Sequence, residues 1–185
     1  MRVISGSARG CKLKAPDGLE TRPTTDRIKE SLFNILSPFL IDCRFLDLFS
    51  GSGAIGIEAL SRGAKRTVFC DCSDKALKIT KENIEKTRLN ERSRVINSDA
   101  LKAIDILAAQ GEKFDIIFLD PPYKSGLYKT VLEKIAAGGI LAKDGFIISE
   151  HSSEDNVPDV SGLECFRVKD YKTTKMLFWA GEKKQ

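Results

Sequence analysis

The 185-residue chain holds one histidine and one tryptophan, and no apolar run in it nears the ~20 residues that a membrane-spanning helix needs. A Ser-His-Asp or Cys-His mechanism would have to rest on His151, and no nucleophile elbow accompanies it. His151 reads as a loop residue. The cysteines are few, scattered and odd in number: Cys11, Cys43, Cys70, Cys72 and Cys165. That argues against a disulfide framework and for reduced thiols in a cytosolic protein. Cys70-Asp71-Cys72 is too tight for a zinc pair and no second pair follows, so no metal is expected. The N-terminus, MRVISGSARGCK, lacks the apolar core and cleavage site of a signal peptide. Its Val3 and Ile4 read as a strand.

Strong charge of one sign is also missing. The net charge is +4, with 42% apolar and 30% charged residues, which is ordinary for a globular protein of one domain with at most a small appendage. The charge is uneven, however. Residues 1–30 carry Arg2, Arg9, Lys12, Lys14, Arg22, Arg27 and Lys29 against Asp17, Glu20, Asp26 and Glu30. A basic N-terminal segment is a candidate phosphate-facing surface. A solvated charged face is the plainer alternative, and charge alone favours it.

What is present is a rhythm. Residues 1–14 read as two short strands around the Gly6–Gly10 turn, followed by a Pro/Gly/Thr-rich loop. TTDRIKESLFNIL opens a helix capped by Thr24 or Thr25, with Ile28, Leu32, Ile35 and Leu36 on one face and Pro38 at its end. From Arg44 onward strands and helices alternate: RFLDLFS, then AIGIEALSRG; RTVFCD, then a helix capped by Ser73; RVINSD, then ALKAIDILAAQG; FDIIFLD, then LYKTVLEKIAAGG; and finally GFIISE. Such alternation means βαβ units around a mostly parallel sheet. LECFRVKDYKTTKMLFWAG breaks it and predicts a C-terminal antiparallel hairpin.

After the first core strand, Gly51, Gly53 and Gly56 match G-x-G-x-x-G, and Asp71 ends the next strand about 20 residues on. Glycines there let the backbone approach a ligand, and an acid at the second strand can accept both hydroxyls of a ribose. The loop therefore predicts an adenosine-containing ligand. It does not separate NAD from S-adenosylmethionine, and a P-loop is excluded because no G-K-[ST] follows. Asp47, inside the strand before the loop, could meet the ammonium of a methionine moiety and would repel a pyrophosphate. Asp99, after the third strand, could approach an adenine edge or cap the next helix.

The fourth strand ends in Asp120-Pro121-Pro122-Tyr123. Two prolines hold the chain extended and leave carbonyls without ladder partners. A substrate amine has two N–H donors, which the Asp120 carboxylate and the Pro121 carbonyl can accept. That draws the nitrogen lone pair out of ring conjugation, while Tyr123 offers a stacking face for a base. The alternative is a plain proline turn with a packed tyrosine.

These stretches resemble a known family. DPPY with an upstream FSGSG is the signature pair of S-adenosylmethionine-dependent methyltransferases acting on exocyclic amines of bases. MRVISGSARGCKL, RPTTDRIKESLFNIL, DLFSGSGAIGIEALSRGA and FLDPPYKSGLY are similar to one branch, the 16S ribosomal RNA guanine-N2 methyltransferases of the RsmD type. The resemblance implies an α/β Rossmann-like fold with a seven-stranded methyltransferase sheet and an N-terminal β-hairpin. The hairpin and loop (1–22) would face RNA, with the methyltransferase domain over 23–185. The cofactor would be S-adenosylmethionine. Its contacts would lie at Asp47, Phe49, Gly51, Gly53, Asp71, Cys72, Asp99 and Ala100. Catalysis would fall to Asp120, Pro121, Pro122 and Tyr123. Arg9, Arg22, Thr24, Arg27 and Tyr123 would meet RNA. The partner would be 16S rRNA or a small-subunit assembly intermediate, met by a cytoplasmic bacterial monomer. The chain departs from the family in having Asp71 where Glu is usual, Ser73 where an acid is usual, and Cys11 where a basic residue is common. The rival activities are adenine-N6 methylation of DNA or another RNA, an NAD-dependent oxidoreductase, and a non-catalytic RNA-binding module.

Overall fold

The computed structural model describes residues 1–15, 26–122 and 126–182. Seven strands, β1 (Arg44–Asp47), β2 (Arg66–Asp71), β3 (Ser93–Asn97), β4 (Phe114–Leu119), β5 (Leu141–Ser152), β6 (Leu163–Asp170) and β7 (Thr174–Gly181), form one sheet in the order β3-β2-β1-β4-β5-β7-β6. The chain divides into two compact units, 1–98 and 99–185.

In the first unit, β1 (Arg44–Asp47), β2 (Arg66–Asp71) and β3 (Ser93–Asn97) pair in parallel. Their buried runs, such as Phe45 and Leu46 in β1 and Val68 to Cys70 in β2, suit a sheet covered on both faces. Helix α1 (Asp26–Leu36) precedes them, followed by a short 3₁₀ turn that carries Pro38. The buried residues of α1 are Lys29, Leu32, Phe33 and Leu36, so the face turns toward Phe33 rather than the expected Ile28 and Ile35. Helix α2 (Ala54–Ser61) is buried all round, and α3 (Asp74–Thr87) is capped by Ser73, whose side chain accepts from the Ala76 N–H at 3.3 Å.

The N-terminal segment is a hairpin with less ladder than expected. One antiparallel bridge joins Arg2 and Lys12, supported by Val3 N to Cys11 O (3.0 Å) and Leu13 N to Met1 O (3.1 Å). The ladder stops because helix α2 takes the next donors. Ile4 N and Ser5 N donate to the Glu58 carboxylate at 2.8 and 3.0 Å. Arg62 Nε (2.8 Å) and Lys29 Nζ (3.2 Å) complete its four acceptor positions. Glu58 and Lys29 are 0% and 1% exposed, so the cluster is a buried ion network. Removing one partner of such a network costs about 3–5 kcal/mol, because a charge stays behind without water. Ser61 completes the docking. Its carbonyl accepts from Ser7 N at 2.8 Å and its Oγ from Ala8 N at 2.9 Å. Gly6 has φ +85, and a Cβ there would sit 1.8 Å from the Ser61 carbonyl oxygen. Only glycine allows that approach.

In the second unit, α4 (Ala100–Ala109), β4 (Phe114–Leu119), α5 (Leu127–Gly138) and β5 (Leu141–Ser152) continue the alternation, with β4 and β5 parallel. β6 (Leu163–Asp170) and β7 (Thr174–Gly181) form the antiparallel hairpin, with β7 paired to β5. β5 runs on past the expected GFIISE to Ser152, so His151 is a buried strand residue and not a loop residue. Pairing with β7, His151 opposite Lys175, extends the strand through it. Among the described residues no helix is long and apolar enough to cross a membrane.

Candidate functional site

The glycine loop lies in the first unit, between β1 and α2. Ser50 N donates to Cys70 O at 2.9 Å and Gly53 N donates to Ser50 O at 2.6 Å, closing a tight turn. Gly53 sits at the N-cap of α2 with φ 76, where a side chain would be strained. Asp71, at the end of β2, ties this loop to the start of α3. Its Oδ2 accepts from Gly51 N and its Oδ1 from Ser73 N, both at 2.9 Å. Two α3 side chains hold the loop from below. Thr80 Oγ1 donates to Gly51 O at 2.8 Å, and the Asn83 amide donates to Ser52 O at 2.9 Å. Asn83 also donates to Lys14 O (3.0 Å) and accepts from Lys14 N (2.8 Å), so one buried amide joins hairpin and loop.

The space beside Gly51 is open: a Cβ there would meet no atom within 4 Å. An approachable backbone with a carboxylate at its shoulder fits an adenosine-bearing ligand. Asp47 is 1% exposed, and its Oδ2 accepts from Gly56 N in the first turn of α2 at 3.0 Å. Burial pushes its carboxyl up to about 7, with Asp71 adding to the rise and the Gly56 bond opposing it. Of the other residues expected at the cofactor, Phe49 is half-buried and Cys72 exposed.

In the second unit, Asp99 caps α4, its Oδ1 accepting from Lys102 N at 3.0 Å. That backbone bond holds its carboxyl below the usual range, aided by the Lys102 side chain. Ala100, beside it, is buried as the first residue of α4. Asp120 follows β4 and is half-exposed, Pro121 is buried and Pro122 exposed. The Pro121 carbonyl accepts from the Tyr128 hydroxyl at 3.2 Å. One of its two lone pairs is thus engaged from inside the fold, and the other can serve a ligand. Behind it, the Tyr128 ring stacks on His151 with centroids 3.9 Å apart. His151 Nε2 lies 2.8 Å from Ser149 Oγ, which accepts from Trp179 Nε1 at 2.8 Å. Burial, with Lys175 nearby, lowers the His151 pKa to about 4 against an opposing pull from Asp155, so the imidazole is neutral at pH 7.

Arg9 and Arg27 are both exposed and line one concavity in the first unit. Arg22, Thr24 and Tyr123 lie outside the described residues, as do Thr24 and Thr25 as helix caps. Sequence reasoning missed Glu58, Asn83 and Tyr128. Glu58 had a signal, an acid inside an otherwise apolar helix; Asn83 and Tyr128 had none that separates them from surface residues of their helices.

The glycine loop and the proline turn occur in a chain that matches the model of the family described as Conserved hypothetical protein 95 over residues 1–180. The chain belongs to that family. A curated relative from Bacillus subtilis, "Putative rRNA methyltransferase YlbH", is 46% identical over 175 residues, 94% of this chain and 95% of the relative. "Ribosomal RNA small subunit methyltransferase D" of Escherichia coli K12 is 38% identical over 160 residues, 86% of this chain and 79% of the relative. Among solved structures, "Putative methyltransferase yhhF from Escherichia coli" superposes with a TM-score of 0.86 at 36% identity, over 98% of both chains.

Proposed function

We propose that this protein transfers a methyl group from S-adenosylmethionine to the exocyclic N2 amine of a guanine in 16S ribosomal RNA. The observation that carries the reading is the Asp120-Pro121-Pro122 turn, with its carbonyl braced by Tyr128, in a chain that also holds the Gly51–Gly53 loop and Asp71. The family and the small-subunit rRNA methyltransferase relative support rRNA as the substrate. On this reading the protein acts in the bacterial cytoplasm, as a monomer, and its partner is 16S rRNA or a small-subunit assembly intermediate.

S-adenosylmethionine supplies a methyl already activated by its sulfonium. The loop around Gly51 and Gly53, with Phe49 and Cys72 flanking, presents backbone to the cofactor, and Asp71 accepts the ribose hydroxyls. Asp47 takes the ammonium, and Asp99 with Ala100 takes the adenine. Asp120 and the Pro121 carbonyl accept hydrogen bonds from the two amine N–H groups, and the proton that the methylated nitrogen sheds leaves through the half-exposed Asp120 carboxylate to water. The lone pair then turns from the ring, Pro122 keeps the turn extended, and Tyr123 stacks on the base. No strong base is required, so rate comes from positioning and from hydrogen bonds that strengthen toward the transition state. The 1–22 hairpin and loop, with Arg9, Arg22, Thr24 and Arg27, faces the RNA.

The test is nucleoside mass spectrometry of 16S rRNA from cells with the gene, without it, and carrying Asp120→Ala. N2-methylguanosine should fall in the last two alike, with cofactor affinity of the purified variant within a few-fold of wild type. Unchanged N2-methylguanosine would overturn the reading, and a loss of N6-methyladenosine instead would establish the adenine alternative.

A further inference from the structure

The N-terminal hairpin and α1 enclose a concavity of roughly 530 Å³, within the ~300–1,000 Å³ of small-ligand sites. Arg2, Arg9, Arg27 and Arg62 line it against two acids, Asp26 and Glu30, and Asn34 adds a neutral amide. Asp26 is engaged, at 3.7 Å from Arg2. The concavity thus carries excess positive charge beside uncharged hydrogen-bonding groups.

Arg62 differs from the other three. Its Nε is fixed to Glu58, itself 0% exposed, and its guanidinium lies 5.1 Å from the centre of the Phe33 ring. That uses one of five N–H donors and locks the plane, leaving the two terminal nitrogens with four donors. A preorganised fork of this kind is built for a phosphate oxygen pair, and it loses little entropy on binding. Arg9 and Arg27 are exposed and can close on the same anion from the rim.

We infer that this concavity seats a backbone phosphate of the substrate RNA, with Arg62 as the fixed anchor, Arg9 and Arg27 as the rim and Asn34 for an adjoining sugar hydroxyl. The inference rests on RNA being the substrate. A phosphate contact carries no sequence information, so the seat sets register and affinity while the target amine is chosen elsewhere. A free nucleotide offers the same chemistry, and the measurement separates the two.

The experiment measures affinity for a 16S rRNA transcript over a salt series, and for AMP. The variants are Arg9→Gln/Arg27→Gln, Arg62→Lys, Asn34→Ala and the control Lys143→Gln/Lys172→Gln, exposed positions of the second unit. S-adenosylhomocysteine affinity reports that each variant is folded. Because the rim arginines close on one phosphate, losing them should lower the log–log salt slope of the rim double variant by about 0.7, while the control keeps the wild-type slope. Arg62→Lys, which keeps the charge and loses the fork, should weaken RNA binding several-fold with the slope unchanged. Asn34→Ala should weaken it by a smaller factor, also without a slope change. A rim variant that binds RNA with the wild-type slope would overturn the seat, as would equal losses in rim and control variants. AMP binding lost in the rim variant while the RNA slope stays constant would assign the concavity to a nucleotide instead. A wild type that binds RNA through these arginines yet leaves N2-methylguanosine unchanged in cells would sink the proposed activity and leave the seat standing.

Discussion

Raising the pH from 6 to 8 is expected to tighten S-adenosylhomocysteine binding about tenfold, through Asp47 alone. In the free protein burial holds that carboxyl at about 7. It is then about nine-tenths protonated at pH 6 and about one-tenth at pH 8. An ammonium at ~4 Å in an effective dielectric of ~20 stabilises the carboxylate by about 4 kcal/mol, or about three pKa units. The bound group returns to the ordinary carboxylate range, so binding releases close to one proton at pH 6 and almost none at pH 8. Calorimetry in buffers of different ionisation enthalpy reads that proton directly. Asp47→Asn keeps an oxygen for the Gly56 N–H and should lose both the proton release and the pH dependence. The same raised pKa has a consequence without ligand. The stabilising contribution of Asp47 is complete below about 4 and is lost as the pH rises through about 7. An affinity that stays constant from pH 6 to 8, with no proton released, would leave Asp47 as a brace for helix α2 and remove it from the cofactor.

Asp71→Ala should weaken cofactor affinity about tenfold or more while sparing the rate at saturating cofactor, since it loses a ground-state contact and frees Gly51 and Ser73; an unchanged dissociation constant would remove it from the site. Tyr128→Phe deletes the hydroxyl that braces the Pro121 carbonyl, so single-turnover methylation should slow several-fold with RNA and cofactor affinities intact. A wild-type rate would show that the brace does not position the clamp. His151 has its pKa lowered to about 4, so its stabilising contribution is complete above about 6.5 and is lost as the pH falls toward 4. Urea midpoints over that range should fall less for His151→Gln than for wild type, and parallel curves would contradict the burial argument.

The βαβ rhythm, the glycine loop, the proline turn and the closing hairpin were legible in the sequence because each rests on local physics. Strand and helix periodicities, caps such as Ser73 and Asp99, and the backbone freedom of Gly53 act within a few residues of chain. The same holds for the resemblance, which is carried by contiguous motifs. Partnerships across long separations were not legible. Glu58 binds Ile4, Ser5, Lys29 and Arg62, and Asn83 binds Lys14 and Ser52; a one-dimensional pattern does not say which distant donor meets which acceptor. His151 shows the same limit in reverse. Its neighbours in sequence suggest a loop, yet pairing with β7 and stacking on Tyr128 keep it in a buried strand. Asp47 shows why the difference matters for function. Its place in the motif was plain from the sequence, but only packing removes its water, and loss of that water raises its pKa into the physiological range.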